Sequence, residues 1–219
     1  MPLNRKEILK IPEIKCLCGG NYFTKVFQGI RPFKFLILKC NQCRICRTIP
    51  FPNSRDVFTD TNCNLNYRSN EHEIKWERNR FKINCHIIQK QSISSVSVLD
   101  IGCKMGLFVN YALEEGLNIF GFDIDAKVVN VASEALKSRL CIADASHIPF
   151  KKNLFDCVNL SHMLEHSEKP LQILSEIYRL LKPEGLLVVT LPNYKGLIPR
   201  LRPISWQGWV PQEHVWHFS

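Results

Sequence analysis

The sequence predicts an α/β protein, in which a mainly parallel β-sheet is covered by helices and preceded by a small cysteine-rich module. From residue 96 onward, short apolar runs rich in Val, Ile and Leu alternate with segments of helical periodicity, as is typical of parallel sheets. Several runs end in acidic residues or glycine, and five of the 10 cysteines lie before residue 47. The length of 219 residues fits one such domain with an appendage.

Charge is distributed unevenly along the chain, whose formal net charge is +9. Residues 1–94 contain 17 Lys and Arg against 7 Asp and Glu, whereas residues 95–219 contain 12 against 13. A basic N-terminal part can bind a polyanion, although a solvated basic surface is the commoner reason for such a charge density. No apolar run approaches about 20 residues, and the start contains no signal-peptide core, so we expect a cytoplasmic protein without a membrane span.

The N-terminal cysteines follow the layout of a zinc ribbon, and we expect this module to cover residues 1–52. One Cys pair precedes two strand-like segments, and a second pair with the Cys-x-x-Cys spacing of a zinc knuckle follows them. Without an export signal, metal binding explains the cluster better than disulfides do. The predicted zinc ligands are Cys16, Cys18, Cys40 and Cys43.

Two alternatives stay open for this module. The first Cys pair is one residue shorter than usual, so Cys46 is an alternative ligand in place of one of the four. The other alternative is a reduced hairpin that binds no metal.

Residues 53–94 are predicted to connect this module to the main domain, residues 95–219. The polar stretch from Asn70 to Gln91 has isoleucines and Phe81 interspersed, which indicates an amphipathic helix. In the main domain, strands and helices alternate. The predicted strands are 96–102, 118–125, 140–144, 155–161 and 186–192, and the predicted helices are 107–116, 126–138 and 168–185.

The predicted helices carry recognisable end signals. Gly116 is a stop for the first, and Asp125 is a predicted N-cap of the second. Pro170 lies in the first turn of the third, and Pro183 and Gly185 follow its last periodic residues.

Polar residues collect where the predicted strands end, and ligands bind at this edge of such sheets. Asp123 lies 21 residues after Gly102, the spacing at which an acidic group meets ribose hydroxyls in nucleotide-binding folds. A dinucleotide fingerprint fails, because Lys104 and Leu107 occupy its second and third glycine positions. The strand-end residues are Asp100, Asp123, Asp125, Asp144, Ser161, His162, Glu165, His166 and Asn193.

Five segments in order resemble the class I S-adenosylmethionine-dependent methyltransferases, over residues 95–219. They are VLDIGCKMG, GFDID, IADASHIPF, FDCVNLSHMLEHSEKP and EIYRLLKPEGLLVVTLPN. The resemblance implies a Rossmann-like, doubly wound sheet with strand order 3-2-1-4-5. The tail PQEHVWHFS is similar to a segment of many bacterial members, and the cysteine cluster is similar to zinc-binding modules of some sugar C-methyltransferases.

The resemblance also implies how S-adenosylmethionine would be bound. The glycine loop lets the backbone approach the methionine part, whose amino group Asp100 helps to hold. Asp123 accepts from the ribose hydroxyls, Ile124 lies against the adenine, and Asp144 accepts from the adenine amino group. For Asp144 the alternative is a turn or helix cap. The full predicted cofactor set is Asp100, Gly102, Cys103, Gly106, Asp123, Ile124, Asp144, Ala145 and Ser161.

Three residues after the fourth predicted strand are the candidate catalytic groups. Methyl transfer from a sulfonium needs no acid for the leaving group, but an O–H or N–H acceptor must lose a proton. His162 and His166 are the candidate bases and Glu165 the candidate orienting group, while capping or packing would explain each histidine equally well. No Asn/Asp-Pro-Pro-Tyr signature follows this strand, which disfavours methylation of exocyclic base amines.

Two features depart from the family pattern. Lys104 stands where the family usually has glycine, so either its side chain points outward and the loop is intact, or cofactor binding is weakened. The family sheet has seven strands and five are recognisable here, so we expect an incomplete C-terminus and self-association through the edge of the fifth strand.

The irregular tail after this strand is expected to form an ordered lid over the pocket rather than a strand pair. Its histidines would line the pocket, and its tryptophans would form the apolar wall of the pocket or belong to the core. These residues are His214, His217, Trp206, Trp209 and Trp216.

The function predicted from these residues is methyl transfer from S-adenosylmethionine to a small-molecule or sugar-linked acceptor, with zinc in the N-terminal module. An RNA methyltransferase that uses the basic N-terminal part is the alternative among enzymes. A non-catalytic relative that acts as a binding protein is the alternative outside enzymes; Lys104 and the missing strands favour it, and the strand-end acids disfavour it.

Overall fold

The computed structural model describes residues 8–11, 13–29, 34–50, 71–90, 96–201, 206 and 208–219. They form two compact units. The first contains the described residues up to 50 together with Leu164–Glu168 and Leu191–Ser219, and the second contains residues 71–163 and Lys169–Thr190. This division differs from the predicted boundaries at 52 and 94, because the connector helix belongs to the second unit and the C-terminal tail belongs to the first.

Strands and helices alternate as predicted in the second unit, but the third predicted helix ends at Leu180 and residues 181–185 belong to the last strand. The strands of the first unit are antiparallel. The strands are β1 (Ile8–Lys10), β2 (Tyr22–Gly29), β3 (Phe35–Cys40), β4 (Cys46–Ile49), β5 (Ser97–Ile101), β6 (Asn118–Asp123), β7 (Leu140–Ile142), β8 (Phe155–Ser161), β9 (Leu181–Thr190) and β10 (Trp216–His217). The helices are α1 (Glu71–Gln89), α2 (Leu107–Glu114), α3 (Ala126–Asn130), α4 (Pro170–Leu180) and α5 (Leu197–Leu201), with 3₁₀ turns at Glu134–Leu136 and Leu164–His166.

The second unit is built on a five-stranded parallel sheet in the order β7-β6-β5-β8-β9, which confirms the predicted order 3-2-1-4-5. β5 is the central strand, and four of its five residues are buried. Such a strand has to be apolar along its length, which is why the run at 96–102 lacks polar alternation. The carboxyl ends of β5, β6 and β8 therefore meet at one edge.

Helix α1 confirms the predicted amphipathic segment and adds to the core of the second unit. Its buried positions are Phe81, Asn84, Cys85 and Ile88, which share one helical face. The ring of Phe81 lies 5.4 Å from that of Phe108 in α2, centroid to centroid. The side chains of residues 83 and 87, by contrast, are 59% and 39% exposed.

The first unit is an antiparallel sheet in the order β1-β2-β3-β4-β10. The β2–β3 hairpin confirms the sequence prediction. Strand β10 differs from it, because the tail is predicted to lack a regular strand pair. Trp216 pairs with Arg47 of β4, and the Arg47 guanidinium lies 5.2 Å from the centre of the Trp216 ring. Since Trp216 is 3% exposed, it belongs to the core of this unit.

The last strand of the parallel sheet, β9, pairs along one side with β8, and the described part of the chain supplies no second neighbour. Self-association through this edge stays a prediction. Among the described residues, no helix combines the length and the apolar character needed to cross a bilayer.

Thr48 joins β4 to the tail through three hydrogen bonds, one of which links its hydroxyl to His217 Nε2 at 3.0 Å. Its hydroxyl donates to the His214 carbonyl at 2.8 Å, and its backbone N–H donates to the Val215 carbonyl at 3.0 Å. Thr48 and His214 are both buried.

We predict that Thr48→Val lowers the free energy of unfolding of the first unit by about 1–3 kcal/mol, because it leaves a buried carbonyl without its donor. Urea denaturation measures this loss. Thr24→Val is the control: its hydroxyl donates to the Asn41 side chain at a half-buried position, so its loss should cost less. Equal stability of wild type and Thr48→Val would contradict the assignment.

Candidate functional site

The turn after β5 is built from left-handed backbone positions. Gly102, Lys104 and Gly106 have φ values of 74°, 52° and 81°. A Cβ at Gly106 would lie 2.9 Å from the Leu140 side chain, and one at Gly102 would lie 3.2 Å from Met163 Cγ. The loop therefore needs glycine at both positions, for its dihedral angles and for space.

Lys104 fits the loop without disrupting it. Its side chain is exposed, and its backbone N–H donates to Asp123 Oδ2 at 2.9 Å. The turn is thus intact with lysine at this position, and weakened cofactor binding stays a prediction. A left-handed lysine costs roughly 1–2 kcal/mol relative to glycine, and the Asp123 contact offsets part of that cost.

A cavity of about 300 Å³ opens beside this loop in the second unit. Four predicted cofactor residues line it: Asp100, Gly102, Cys103 and Ser161. The predicted base His162 also lines it. The remaining lining residues are Glu77, Arg80, Phe81, Asn84, Lys104, Met105, Leu107, Phe108 and Asn159.

Asp100 is the buried acid of this cavity. The Asn159 side-chain amide donates to its Oδ1 at 2.7 Å, and the Asn84 amide donates to Asn159 Oδ1 at 3.0 Å. Burial raises the pKa of Asp100 to about 7, although the hydrogen bond from Asn159 opposes the rise. A cation next to Asp100 would stabilise its charged form, so the site suits a ligand that brings an ammonium group.

The hydroxyl of Ser161 indicates that the cavity can take a polar ligand. Its Oγ is buried and has no hydrogen-bond partner among the described residues. Buried hydroxyls without a partner are uncommon, and a ligand in the cavity would supply one.

Asp123 ends β6 beside the glycine loop. Its Oδ2 accepts from Lys104, and its Oδ1 accepts from the Asp125 backbone N–H at 3.0 Å. Ile124, next to it, is 52% exposed. These two residues lie beyond the lining of the cavity, and their predicted roles stay predictions.

The other strand-end acids have local partners. Asp125 is the N-cap of α3 and accepts from the Lys127 N–H at 2.9 Å, as predicted. Asp144 accepts from the Ser146 N–H at 2.7 Å, which is the turn contact named as its alternative role. Ala145 is buried beside it, and an adenine contact by these two residues stays a prediction.

The three candidate catalytic residues fall into different units. His162 has a left-handed backbone, with φ 51°, and its N–H donates to the Thr190 carbonyl at 2.9 Å. Glu165 and His166 belong to the first unit, where they lie close to His214. Burial lowers the pKa of His166, so its imidazole is neutral near pH 7.

The tail histidines and tryptophans are part of the first unit. His217 is 3% exposed, and burial lowers its pKa to about 3. Trp209 packs against Tyr194, with ring centres 5.9 Å apart. These contacts support the core alternative for Trp209 and Trp216, whereas His214 and His217, which are predicted to line the pocket, are not among the residues that line the cavity.

Sequence reasoning missed the contribution of α1 to the cavity. Glu77, Arg80, Phe81 and Asn84 all line it, and Arg80 donates to Glu77 Oε1 at 2.7 Å. One signal was available: Asn84 is a polar residue on the apolar face of a predicted helix. Such a residue needs a buried partner, which here is Asn159.

The four predicted metal ligands come together in the first unit. The sulfur atoms of Cys16, Cys18, Cys40 and Cys43 all lie within 4.8 Å of one another. The Cys16–Cys43 and Cys18–Cys40 sulfur pairs are 3.4 Å and 3.6 Å apart. Tetrahedral zinc with bonds of about 2.3 Å places its sulfurs about 3.8 Å apart, so the group fits a metal ion.

Local backbone geometry makes this approach of the cysteines feasible. A Cβ at Gly20 would lie 3.3 Å and 3.4 Å from the sulfurs of Cys40 and Cys18. Burial opposes ionisation of Cys18, but hydrogen bonds from the Gly20 backbone and from neighbouring thiols lower its pKa to about 7. Cys46 is packed with Phe35 and Ile37 instead, so it is not part of the group.

The sheet, the glycine loop and the strand-end acids can now be compared with known proteins. Residues 99–189 match the family of methyltransferase domains. This match supports the predicted resemblance to the class I S-adenosylmethionine-dependent methyltransferases. It runs from the middle of β5 to the end of β9, so the cavity is lined by the matched segment together with α1.

Several relatives are similar over this region. Protein MJ0638 of Methanocaldococcus jannaschii is 40% identical over 101 residues, which is 46% of this chain and 43% of that protein. The demethylmenaquinone methyltransferase of Lactiplantibacillus plantarum is 29% identical over 136 residues, 58% of this chain and 53% of the other. The chain spans about half, or less, of the length of the curated relatives it matches.

Among solved structures, the Pyrococcus horikoshii protein PH0226 is 28% identical, with a TM-score of 0.48. The match covers 58% of this chain and 59% of that protein.

Asp100 leads to a prediction about pH. Its pKa rises from the ordinary 3.8 to about 7, so the folded protein holds this proton up to a higher pH than the unfolded chain does. The free energy of unfolding should therefore fall as the pH rises through this range, with a slope of up to about 1.4 kcal/mol per pH unit. Asp100→Asn should lack this component.

Urea denaturation of both proteins at a series of pH values isolates the effect, because all other titrating groups are shared. Parallel pH profiles for wild type and Asp100→Asn would show that Asp100 does not titrate in this way.

Proposed function

We propose that the protein transfers a methyl group from S-adenosylmethionine to a small-molecule or sugar-linked acceptor. The observation that carries this proposal is the cavity beside the glycine loop, where the buried acid Asp100 and the unpartnered hydroxyl of Ser161 lie together. Both groups suit the methionine part of the cofactor, which has an ammonium and a carboxylate.

The residues would hold the cofactor in the following way. Asp100 would bind the ammonium, and the glycine loop would lie along the methionine chain. Asp123 would accept from the ribose hydroxyls, exchanging part of its contact with the Lys104 backbone. Ile124, exposed next to it, would cover one face of the adenine.

The cofactor supplies a methyl group on a positively charged sulfur, and the protein must align the acceptor and take its proton. His162 is the base that lines the cavity. It directly follows β8 in the chain. Its backbone is left-handed, and its N–H donates to the Thr190 carbonyl. For a carbon acceptor the same imidazole would take the proton from that carbon.

The names of the relatives support a small acceptor. One is a demethylmenaquinone methyltransferase, another a ubiquinone biosynthesis O-methyltransferase from Histophilus somni, and a third a sterol 4-C-methyltransferase from Caenorhabditis elegans. All three names denote small organic acceptors rather than polymers. The acceptor atom differs among them, so the choice of oxygen or carbon is left open for this chain.

An RNA acceptor is the competing proposal, and it rests on the basic residues before position 95. RNA binding of that kind would weaken steeply with salt, roughly in proportion to the number of phosphates contacted. A filter-binding titration with single-stranded RNA at two salt concentrations separates the two. Tight, salt-dependent binding would favour the RNA acceptor.

For the cofactor, we predict that Asp123→Ala weakens the binding of S-adenosylmethionine by about 1.5–3 kcal/mol, roughly 10- to 150-fold, because hydrogen bonds to a carboxylate are lost. Isothermal titration calorimetry measures the change. Asp125→Ala is the matched control, since this acid ends the same strand region but caps α3. Equal affinity in wild type and Asp123→Ala would overturn the cofactor assignment.

For the N-terminal module, we propose zinc as the metal held by the four cysteines. Four sulfur ligands with tetrahedral spacing favour zinc over the hard cations, which prefer oxygen. A closed set of four thiolates leaves no open position, so this site would stabilise the fold of the first unit rather than take part in catalysis.

Elemental analysis of protein purified under reducing conditions should find zinc that is lost in Cys16→Ser and kept in Cys46→Ser. The first variant removes a ligand, whereas the second changes a buried thiol outside the group. Loss of zinc in Cys46→Ser but not in Cys16→Ser would mean that the ligand set is wrong.

A further inference from the structure

The first unit contains a second group of residues with metal-binding chemistry, besides the four cysteines. Glu165, His166 and His214 each offer one ligand atom, and the three atoms lie within 4.8 Å of one another. Glu165 is 1% exposed and His214 is 7% exposed. A bound cation would stabilise the charged form of a buried carboxylate in such a group.

The two imidazoles are oriented in the same way. Nδ1 of His166 lies 3.1 Å from the Glu213 carbonyl oxygen, and Nδ1 of His214 lies 3.1 Å from the Gly208 carbonyl oxygen. A carbonyl can only accept, so each Nδ1 must carry the proton. Nε2 is then the nitrogen through which each ring would bind a metal. Metal-ligating histidines usually show this arrangement.

The backbone around the group is also held in place. The Glu165 carbonyl accepts from the Val215 N–H at 2.8 Å, and the Ser167 carbonyl accepts from the Trp216 indole at 3.0 Å. The rings of His166 and His214 lie 4.8 Å apart at an interplanar angle of 73°. The pairing of the 3₁₀ turn with the tail is therefore sufficient to bring the three side chains together.

We propose that Glu165, His166 and His214 bind a divalent transition-metal ion. Two imidazoles and one carboxylate suit zinc, iron, manganese or cobalt, whereas magnesium and calcium prefer oxygen ligands alone. Three protein ligands leave at least one coordination position open, unlike the closed cysteine site. The carboxylate and two neutral rings leave the bound ion with a net positive charge, so the open position would take an anionic or hydroxyl oxygen.

This assignment goes beyond methyl transfer and does not depend on it. It does change the set of candidate bases. A metal ion on His166 would occupy the lone pair that the residue would need to accept a proton, so ligation and general-base catalysis by His166 exclude each other. His162, which lines the cavity of the second unit, is unaffected.

Cobalt spectroscopy on the full chain tests the proposal. One molar equivalent of zinc is added first, which the four thiolates are expected to take in preference to the mixed group, and Co²⁺ is then titrated. We expect one further equivalent of Co²⁺ to bind, with d–d absorption but without the thiolate charge-transfer bands that cysteine ligation produces. Glu165→Gln and His214→Gln, which keep the side-chain volume similar, should each weaken this binding by at least about 100-fold, since even outer partners of metal ligands are worth 10- to 100-fold.

Two controls make the result interpretable. His86→Gln changes an exposed histidine of α1 and should leave Co²⁺ binding unchanged. Retention of cysteine-bound zinc in every variant shows that the first unit is folded. The proposal is overturned if the wild-type chain binds no further Co²⁺, if the bound Co²⁺ shows thiolate bands only, or if folded His214→Gln binds Co²⁺ as tightly as wild type.

Discussion

The left-handed turn after β5 is the constraint on which the cavity of the second unit depends. Gly102, Lys104 and Gly106 all have positive φ, and their backbone turns the chain from the central strand into α2. Leu140 and Met163 pack where side chains at the two glycines would be, so the turn cannot relax without moving the sheet edge. The same turn presents the Lys104 N–H to Asp123 and thus couples the ends of β5 and β6.

Behind the turn, a chain of buried amides connects α1 to the central strand. Asn84 donates to Asn159, which donates to Asp100. Each group is buried, so the loss of one member would leave the next without its partner. Helix α1 therefore lines the cavity together with the glycine loop, and burial within this network raises the pKa of Asp100.

The first unit is assembled differently, because it combines three separate stretches of the chain. The hairpin brings the four cysteines together, while β10 and the 3₁₀ turn Leu164–His166 bring Glu165 and His166 to His214. In both groups, backbone pairing positions the side chains. The β-hairpin positions the cysteines, and the hydrogen bond from the Val215 N–H to the Glu165 carbonyl holds the 3₁₀ turn against the tail. A metal ion in either group would add stability to pairings that already exist.

The sequence by itself determined the parallel sheet and its strand order, the N-terminal hairpin, the four clustered cysteines and helix α1. These follow from local patterns: apolar runs, helical periodicity, cysteine spacing and left-handed glycines, each of which acts over a few residues. Only the tertiary structure decided that the tail pairs with β4, that α1 contributes Asn84 to the Asp100 network, and that Glu165 and His166 lie beside His214. Those contacts join residues that lie 166, 75 and 48 or 49 positions apart, and no local pattern specifies which distant partner a buried polar group will find.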